Sequence, residues 1–279
     1  MPFVAIVGAG PAGGALAHAL AERSRVDEIR LIDPEGYVAE GKALDILQSA
    51  PIQRFQARVT GATSLAAAAG AGAIAFADYA ADGEIAGETG LATVRQITRL
   101  DTSAPLVFAG GGQRELMQRT ADELHVPTRR LLGSAPLALE SAVRALAAAI
   151  LDASPADLAI GVAGVPPRAA VIGWDAATAF NQPIGRVLPA HQIASISSRL
   201  AALWPPAPYT LAAAGARVAE ALVNGSRRRY TCFAAIDLAG VGHGRIAAVP
   251  VEIVRGGIGR TLEPALSRHE RTAFENGLS

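Results

Sequence analysis

Residues 3–33 fall into a strand, a glycine-rich turn, a helix, a second strand and a terminal acid. The strand is Phe3-Val4-Ala5-Ile6-Val7 and the turn Gly8-Ala9-Gly10-Pro11-Ala12-Gly13. A helical run from Gly14 to Arg23 leads to Glu28-Ile29-Arg30-Leu31-Ile32-Asp33. Few other patterns constrain a chain so tightly, because each residue has a distinct physical task. Gly8 allows the tight turn after the strand, Gly10 permits close backbone approach to a diphosphate, and Gly13 lets the helix lie close to the sheet. The helix N-terminus adds free N–H groups and partial positive charge. Asp33 lies where a carboxylate can accept both hydroxyls of an adenosine ribose. The segment therefore reads as a dinucleotide-binding βαβ unit, with Gly8, Gly10, Pro11, Ala12, Gly13 and Asp33 as its cofactor-contacting set. An acid at position 33 repels the 2′-phosphate of NADP, so the expected cofactor is NAD.

The 279 residues suffice for one large domain or two closely packed ones. Net formal charge is zero, which gives no electrostatic reason to expect nucleic acid or an anionic membrane as a partner. Lys42 is the only lysine among 25 basic residues. Cys232 is the only cysteine, which excludes an internal disulfide or a cysteine-built metal site, and no His/Asp/Glu cluster has ligand spacing. With no apolar run long enough to span a bilayer and no leader pattern, the expected location is the cytoplasm.

Beyond Asp33 the chain alternates between helical and strand patterns as far as a strand at Arg130–Leu132, as a doubly wound parallel sheet requires. Expected elements include a helix over Gly41–Ala50, a helix over Ser64–Ala69, a buried strand over Ala71–Ala77 and a polar loop over Asp78–Gly90. From Ser134 onward the pattern changes. Helices at Ala138–Leu151, Val171–Phe180, His191–Leu203, Tyr209–Val223 and Pro264–Leu278 accompany strands near Asp157–Ala163, Tyr230–Ile236 and Ile246–Val254. The expected organisation is α/β: a Rossmann-type doubly wound sheet in residues 1–134, then an α+β domain in residues 135–279.

Gly8–Gly13, Asp33 and Gly41-Lys42-Ala43-Leu44-Asp45-Ile46 resemble the lactate/malate dehydrogenase family, particularly its malate-dehydrogenase-like branch. Val218–Leu222, Val249–Ile253 and Gly256-Gly257-Ile258 are similar to that family's last helix and hairpin. The resemblance covers nearly the whole chain. It implies hydride transfer between NAD and a 2-hydroxy acid, a histidine acid/base oriented by an aspartate, arginines for the substrate and an asparagine near the nicotinamide. It also implies a homodimer or homotetramer, paired through the Gly41–Ala50 helix and helices of the C-terminal domain.

The residues expected at those catalytic positions are different. Pro166 stands where the histidine belongs, and proline carries no titratable group. The Asp-x-x-Arg pair falls on Leu139 and Ala142, or on Glu140 and Val143 after a one-residue shift, with Arg144 nearby. Gly111 replaces the asparagine, and the Asp78–Gly90 loop contains no arginine. Lactate or malate dehydrogenase activity is therefore expected to be absent. Arg168, Glu140 and Tyr79 are the residues left that could bind an anion or supply an acid. Asp78, Gly111, Gln113, Arg114, Arg144 and Trp174 are expected to line the same cleft. Asp78 and Tyr79 bring charge and bulk to the turn after the fourth strand, so the adenosine half of NAD is expected to be held better than the nicotinamide half. His18, His125, His191, His243 and His269 read as packing or solvated residues.

Two functions fit this reading. One is a catalytically diverged, NAD- or adenine-nucleotide-binding homologue acting as a sensor or assembly partner. The other is an active NAD-dependent oxidoreductase with a different substrate and a rebuilt site.

Overall fold

The computed structural model describes residues 3–100, 103–236 and 244–278. In chain order the first half comprises β1 (Val4–Val7), α1 (Pro11–Arg23), β2 (Glu28–Ile32), α2 (Gly36–Gln53), β3 (Arg58–Ala62), β4 (Ala73–Phe76), β5 (Asp78–Tyr79), β6 (Gly83–Glu84), α3 (Gly87–Thr98), β7 (Leu106–Phe108), α4 (Arg114–Leu124) and β8 (Leu131–Gly133). The second half comprises α5 (Ala135–Leu151), β9 (Leu158–Ala159), β10 (Val162–Val165), β11 (Ala169–Ile172), β12 (Thr178–Ala179), β13 (Gln182–Pro183), α6 (Ala190–Arg199), α7 (Pro208–Asn224), β14 (Arg229–Ala235), β15 (Ile246–Val254), β16 (Gly257–Thr261) and α8 (Arg268–Asn276).

Six strands form the parallel part of the main sheet in the spatial order β3-β2-β1-β4-β7-β8. The order reverses direction between β1 and β4, which creates a crevice beyond their carboxyl ends where open α/β sheets take ligands. Side chains alternate across the two faces, as strand geometry requires. Val4 and Ile6 join Leu16 and Leu20 of α1 and Ala216 and Ala219 of α7. Ala5, Val7, Ile74 and Phe76 face Leu91, Val94 and Ile97 of α3. Phe76 and Phe108 stack with their ring centroids 5.5 Å apart.

The antiparallel strands of the C-terminal half continue this same sheet. β14 pairs with the edge of β8 at Phe233–Gly133, and β15, β10 and β11 follow outward. A Cβ at Gly133 would lie 2.8 Å from that of Phe233, so the absence of a side chain there lets the two halves of the sheet approach. Trp204 meets the Phe233 ring edge-on at 5.9 Å and backs the junction.

Local elements depart from the sequence expectation in three places. Ser64–Ala69 is a single 3₁₀ turn (Leu65–Ala68) capped by the Ser64 hydroxyl, too short for an α-helix. The expected helix over Val171–Phe180 is a pair of strand edges. Ala169–Ile172 folds back on Val162–Val165, and the chain then turns at Phe180 and Asn181 with positive φ. Pairing with β10 and β9 overrides the helical propensity of the alanine-rich stretch. Finally, the Asp78–Gly90 stretch contains a small hairpin, β5–β6, in place of an open loop.

Because Phe233 is fully buried where the parallel and antiparallel halves meet, Phe233→Ala is expected to cost about 3–5 kcal/mol, the usual range for emptying such a site. Urea unfolding of the two proteins measures this, and a loss below about 1 kcal/mol would show that the junction does not depend on that ring.

Candidate functional site

Gly10, Ala12 and Gly13 present their N–H groups at the start of α1, beside the crevice between β1 and β4. All three point at one residue, Asp78, which follows β4 with only Ala77 between. Gly10 N–H donates to the Asp78 carbonyl at 2.7 Å. Ala12 N–H donates to Asp78 Oδ2 at 3.0 Å and Gly13 N–H to Oδ1 at 2.7 Å. A Cβ at Gly8 would strike the Asp78 backbone, and one at Gly10 would strike its carboxylate. The glycine that permits close approach is thus used to admit the chain's own acid. Gly13 serves the packing role, since a Cβ there would run into the Gly8 carbonyl.

Asp33 is 1% exposed. Its Oδ2 accepts from Ala9 N–H at 2.6 Å and Ala80 N–H at 3.0 Å, and its Oδ1 accepts from Glu35 N–H at 2.9 Å. Lys42, on α2, lies over the turn and donates to the carbonyls of Ala9 at 2.6 Å and Gly10 at 2.9 Å. This lysine sits within the Gly-Lys-Ala-Leu-Asp-Ile segment noted in the sequence. Its being the chain's single lysine was the available signal for this contact, although its partners are main-chain atoms that no sequence pattern reveals.

The β5–β6 hairpin is fastened at several points. Ile85 N–H donates to the Ala77 carbonyl at 3.1 Å. Gln113, 1% exposed, donates to the carbonyls of Ala77 and Ile85 and accepts from Gly110 N–H. Glu84 Oε1 accepts from Gly112 N–H at 2.7 Å. Desolvation raises the pKa of Glu84; its bonds to the Gly112 and Gly111 amides oppose that, and the nearby Asp78 adds to it. Pro205 covers Gly111, and a Cβ on Gly111 would lie 2.5 Å from the proline Cβ. A side chain at position 111 would have to displace that proline.

The three residues proposed from sequence to carry chemistry lie apart. Tyr79 bonds to Thr93 Oγ1 at 3.0 Å, and burial raises its hydroxyl pKa. It lines a cavity of about 520 Å³ with Ile32, Pro34, Ser64, Leu65 and Thr93. Glu140, on α5, is buried against the Thr231 hydroxyl, which donates to its Oε2, and pairs with Arg144 at 2.8 Å. It lines separate cavities of about 410 and 390 Å³. Arg168 is exposed in the turn between β10 and β11, two residues beyond the buried Pro166. Arg114 donates to the Ile246 carbonyl. The Trp174 indole donates to Ser197 Oγ and packs against a hydrophobic cluster of the C-terminal half that includes Leu158, Ile160 and Ile172. Burial pushes the Cys232 thiol far above its ordinary range, so it is no nucleophile.

His18 bonds to Gln53, His125 caps α4, and His191 and His269 lie on α6 and α8. His243 lies outside the described residues. Among the described residues no group of three or more His, Cys, Asp or Glu side chains could hold a metal ion.

No protein-family model matches the sequence. The chain is 26% identical over 306 residues to a malate dehydrogenase of Roseobacter denitrificans, an alignment spanning 100% of this chain and 94% of that protein. It superposes on malate dehydrogenase from Salinibacter ruber with a TM-score of 0.86 at 22% identity, covering 99% of this chain and 93% of the other. A lactate dehydrogenase from Cryptosporidium parvum, solved with lactic acid and nicotinamide adenine dinucleotide, gives 0.89 at 20% identity over 99% and 94%. The homologues and structural neighbours of this chain are malate and lactate dehydrogenases. Their fold is shared over essentially the whole length. No helix among the described residues is long and apolar enough to cross a membrane.

The NAD that this fold implies does not fit the turn as it is folded. The amides that would hold its diphosphate are bonded to Asp78, and both Asp33 oxygens that would meet its ribose are bonded to main-chain N–H groups.

Glu140 provides a test of site electrostatics. Desolvation raises its pKa, and the Thr231 hydroxyl and Arg144 offset this only in part. The folded state therefore holds this proton more tightly than the unfolded chain. Stability from this group should decline as pH rises from about 4.3, the unfolded value, through the folded one. Glu140→Gln is expected to remove that decline. Thermal melting of both proteins across this window checks it, and parallel pH curves would contradict it.

Proposed function

We propose that this chain is a malate/lactate-dehydrogenase-like protein of oxidoreductase ancestry that no longer reduces 2-oxo acids. The observation that carries this reading is the state of the cleft opposite the glycine turn. Pro205 covers Gly111 where the family resemblance places an asparagine. Pro166 is buried at the turn where it places the acid/base histidine. Proline offers neither a proton nor a hydrogen-bond donor, so a carbonyl bound there would meet no acid. Glu140 and Arg144 occupy the helix that would carry the aspartate–arginine pair, but they are bonded to each other and to Thr231.

NAD is the cofactor this ancestry implies, and its adenosine side has the better prospect. The 520 Å³ cavity beside Ile32 and Pro34 lies near the carboxyl ends of β2 and β3, where room for a base remains. At the nicotinamide side, Glu84 and Pro205 fill the corresponding space against Gly110, Gly111 and Gly112. Chemistry on a different substrate has less support, since Tyr79 lines the 520 Å³ cavity, Glu140 lines those of about 410 and 390 Å³, and Arg168 stands in the exposed turn after β10.

Purified protein is expected to show no oxidation of NADH above background with oxaloacetate or pyruvate. Rapid turnover with either would overturn the reading.

Self-association belongs to the same proposal. On α2, Ala39, Ala43 and Ile46 are buried in the chain's own core, whereas Tyr37, Leu44 and Ile52 are 93%, 57% and 84% exposed. The two sets occupy opposite faces of the helix. The outer apolar face is suited to pairing with a second copy, as the family resemblance implies. Leu44→Asp is expected to convert a dimer to a monomer, which light scattering on a sizing column reads directly; an unchanged mass would place the interface elsewhere.

A further inference from the structure

We propose that Asp78 is a built-in substitute for the diphosphate of a dinucleotide, occupying its seat on the glycine turn and excluding it. The inference rests on the reading above that the cleft descends from one for an NAD-type ligand.

The first argument is the identity of the donors. A diphosphate at a βαβ unit is held by main-chain N–H groups of the glycine turn and the first turn of the helix, aided by the positive end of the helix dipole. Here those donors are Gly10, Ala12 and Gly13, and the acceptors are one carbonyl and both carboxylate oxygens of Asp78. α1 has no cap from its own N-cap residue, because Gly10 has no side chain. Asp78 provides that cap from a point 65 residues further along the chain. Since the groups satisfied are those a diphosphate needs, capping and occlusion are one contact.

Space and charge support the same conclusion. The Gly10 Cα lies so near the carboxylate that not even a methyl group could be added. A ligand diphosphate would therefore have to displace Asp78, and a partial displacement would set like charges against each other. Displacement is opposed by the hairpin's other attachments. Ala80 N–H is bound to Asp33, Ile85 N–H to Ala77, and Glu84 to Gly112 N–H, with Gln113 bridging both ends. Lys42 holds the outer side of the turn through the Ala9 and Gly10 carbonyls.

The test uses the full-length wild type, Asp78→Ala and Asp78→Asn. Thermal melting with inorganic pyrophosphate decides the proposal. Pyrophosphate should raise the melting temperature of Asp78→Ala by a few degrees, leave the wild type unmoved, and affect Asp78→Asn to an intermediate extent. An equal response of wild type and Asp78→Ala, whether stabilisation or none, overturns it. Asp78→Asn keeps the side-chain shape and one acceptor, so it answers the same question if the alanine variant unfolds. Calorimetry with adenosine, ADP-ribose and NAD then tests the underlying reading. Asp78→Ala should bind ADP-ribose and NAD about tenfold or more tighter than the wild type, with adenosine unchanged. Stabilisation by pyrophosphate without tighter ADP-ribose binding would keep the role of Asp78 and remove the dinucleotide reading.

Discussion

The contact between the Asp78 carboxylate and the first turn of α1 ties together the two strands that bound the ligand crevice. β1 leads into Gly8 and β4 leads through Ala77 into Asp78, and the bonds from Gly10, Ala12 and Gly13 close the gap between them. Hydrogen bonds to a charged acceptor contribute about 1.5–3 kcal/mol each, more than neutral ones. Asp33 reinforces the closure by bonding Ala9 on one side and Ala80 on the other. Gln113 and Glu84 extend it to the loop after β7. Much of the cleft's present shape follows from acids accepting hydrogen bonds from main-chain amides.

This arrangement explains how so distant a relative can retain the dehydrogenase fold. Helix N-termini and glycine turns leave amide donors without partners, and burial makes those costly. A bound ligand can satisfy them, but a chain that does not rely on one must supply an acceptor itself. Asp78 and Glu84 do so here at two neighbouring loops, and Pro205 supplies the packing over Gly111. The scaffold itself rests on sheet order and helix packing. Small residues such as Gly13, Gly215 and Ala216 still allow α1 and α7 to lie close to the sheet and to each other.

Much of the architecture was legible in advance, because alternating strand and helix patterns are local signals. The glycine turn, the switch to antiparallel strands and the buried run before Ala77 all appear as short-range periodicity. The errors arose where neighbours decide. Val171–Phe180 carries alanines suited to a helix, yet its first residues are drawn into a hairpin by β10. At the site, Asp78 was visible as charge and Tyr79 as bulk in an unexpected place, and both lie beside the turn. That the acid would bond the turn itself was not visible. Glu140, Arg168 and Tyr79 could be grouped only by elimination, and three-dimensional placement separates them.

By itself the sequence determined where the backbone must be free of side chains and which strands are buried, and it set Pro166 and Gly111 at positions where the family resemblance implies a histidine and an asparagine. These follow from residue chemistry at single positions: proline cannot carry a proton, and glycine alone permits the approach made at positions 8, 10 and 13. Only the tertiary structure decided what makes that approach. A free amide at a helix end binds whatever acceptor the fold delivers, and partners 65 residues apart in the chain leave no local trace of their meeting. The same glycine turn can therefore stand open to a ligand or be filled from within, and here the fold brings Asp78 to it.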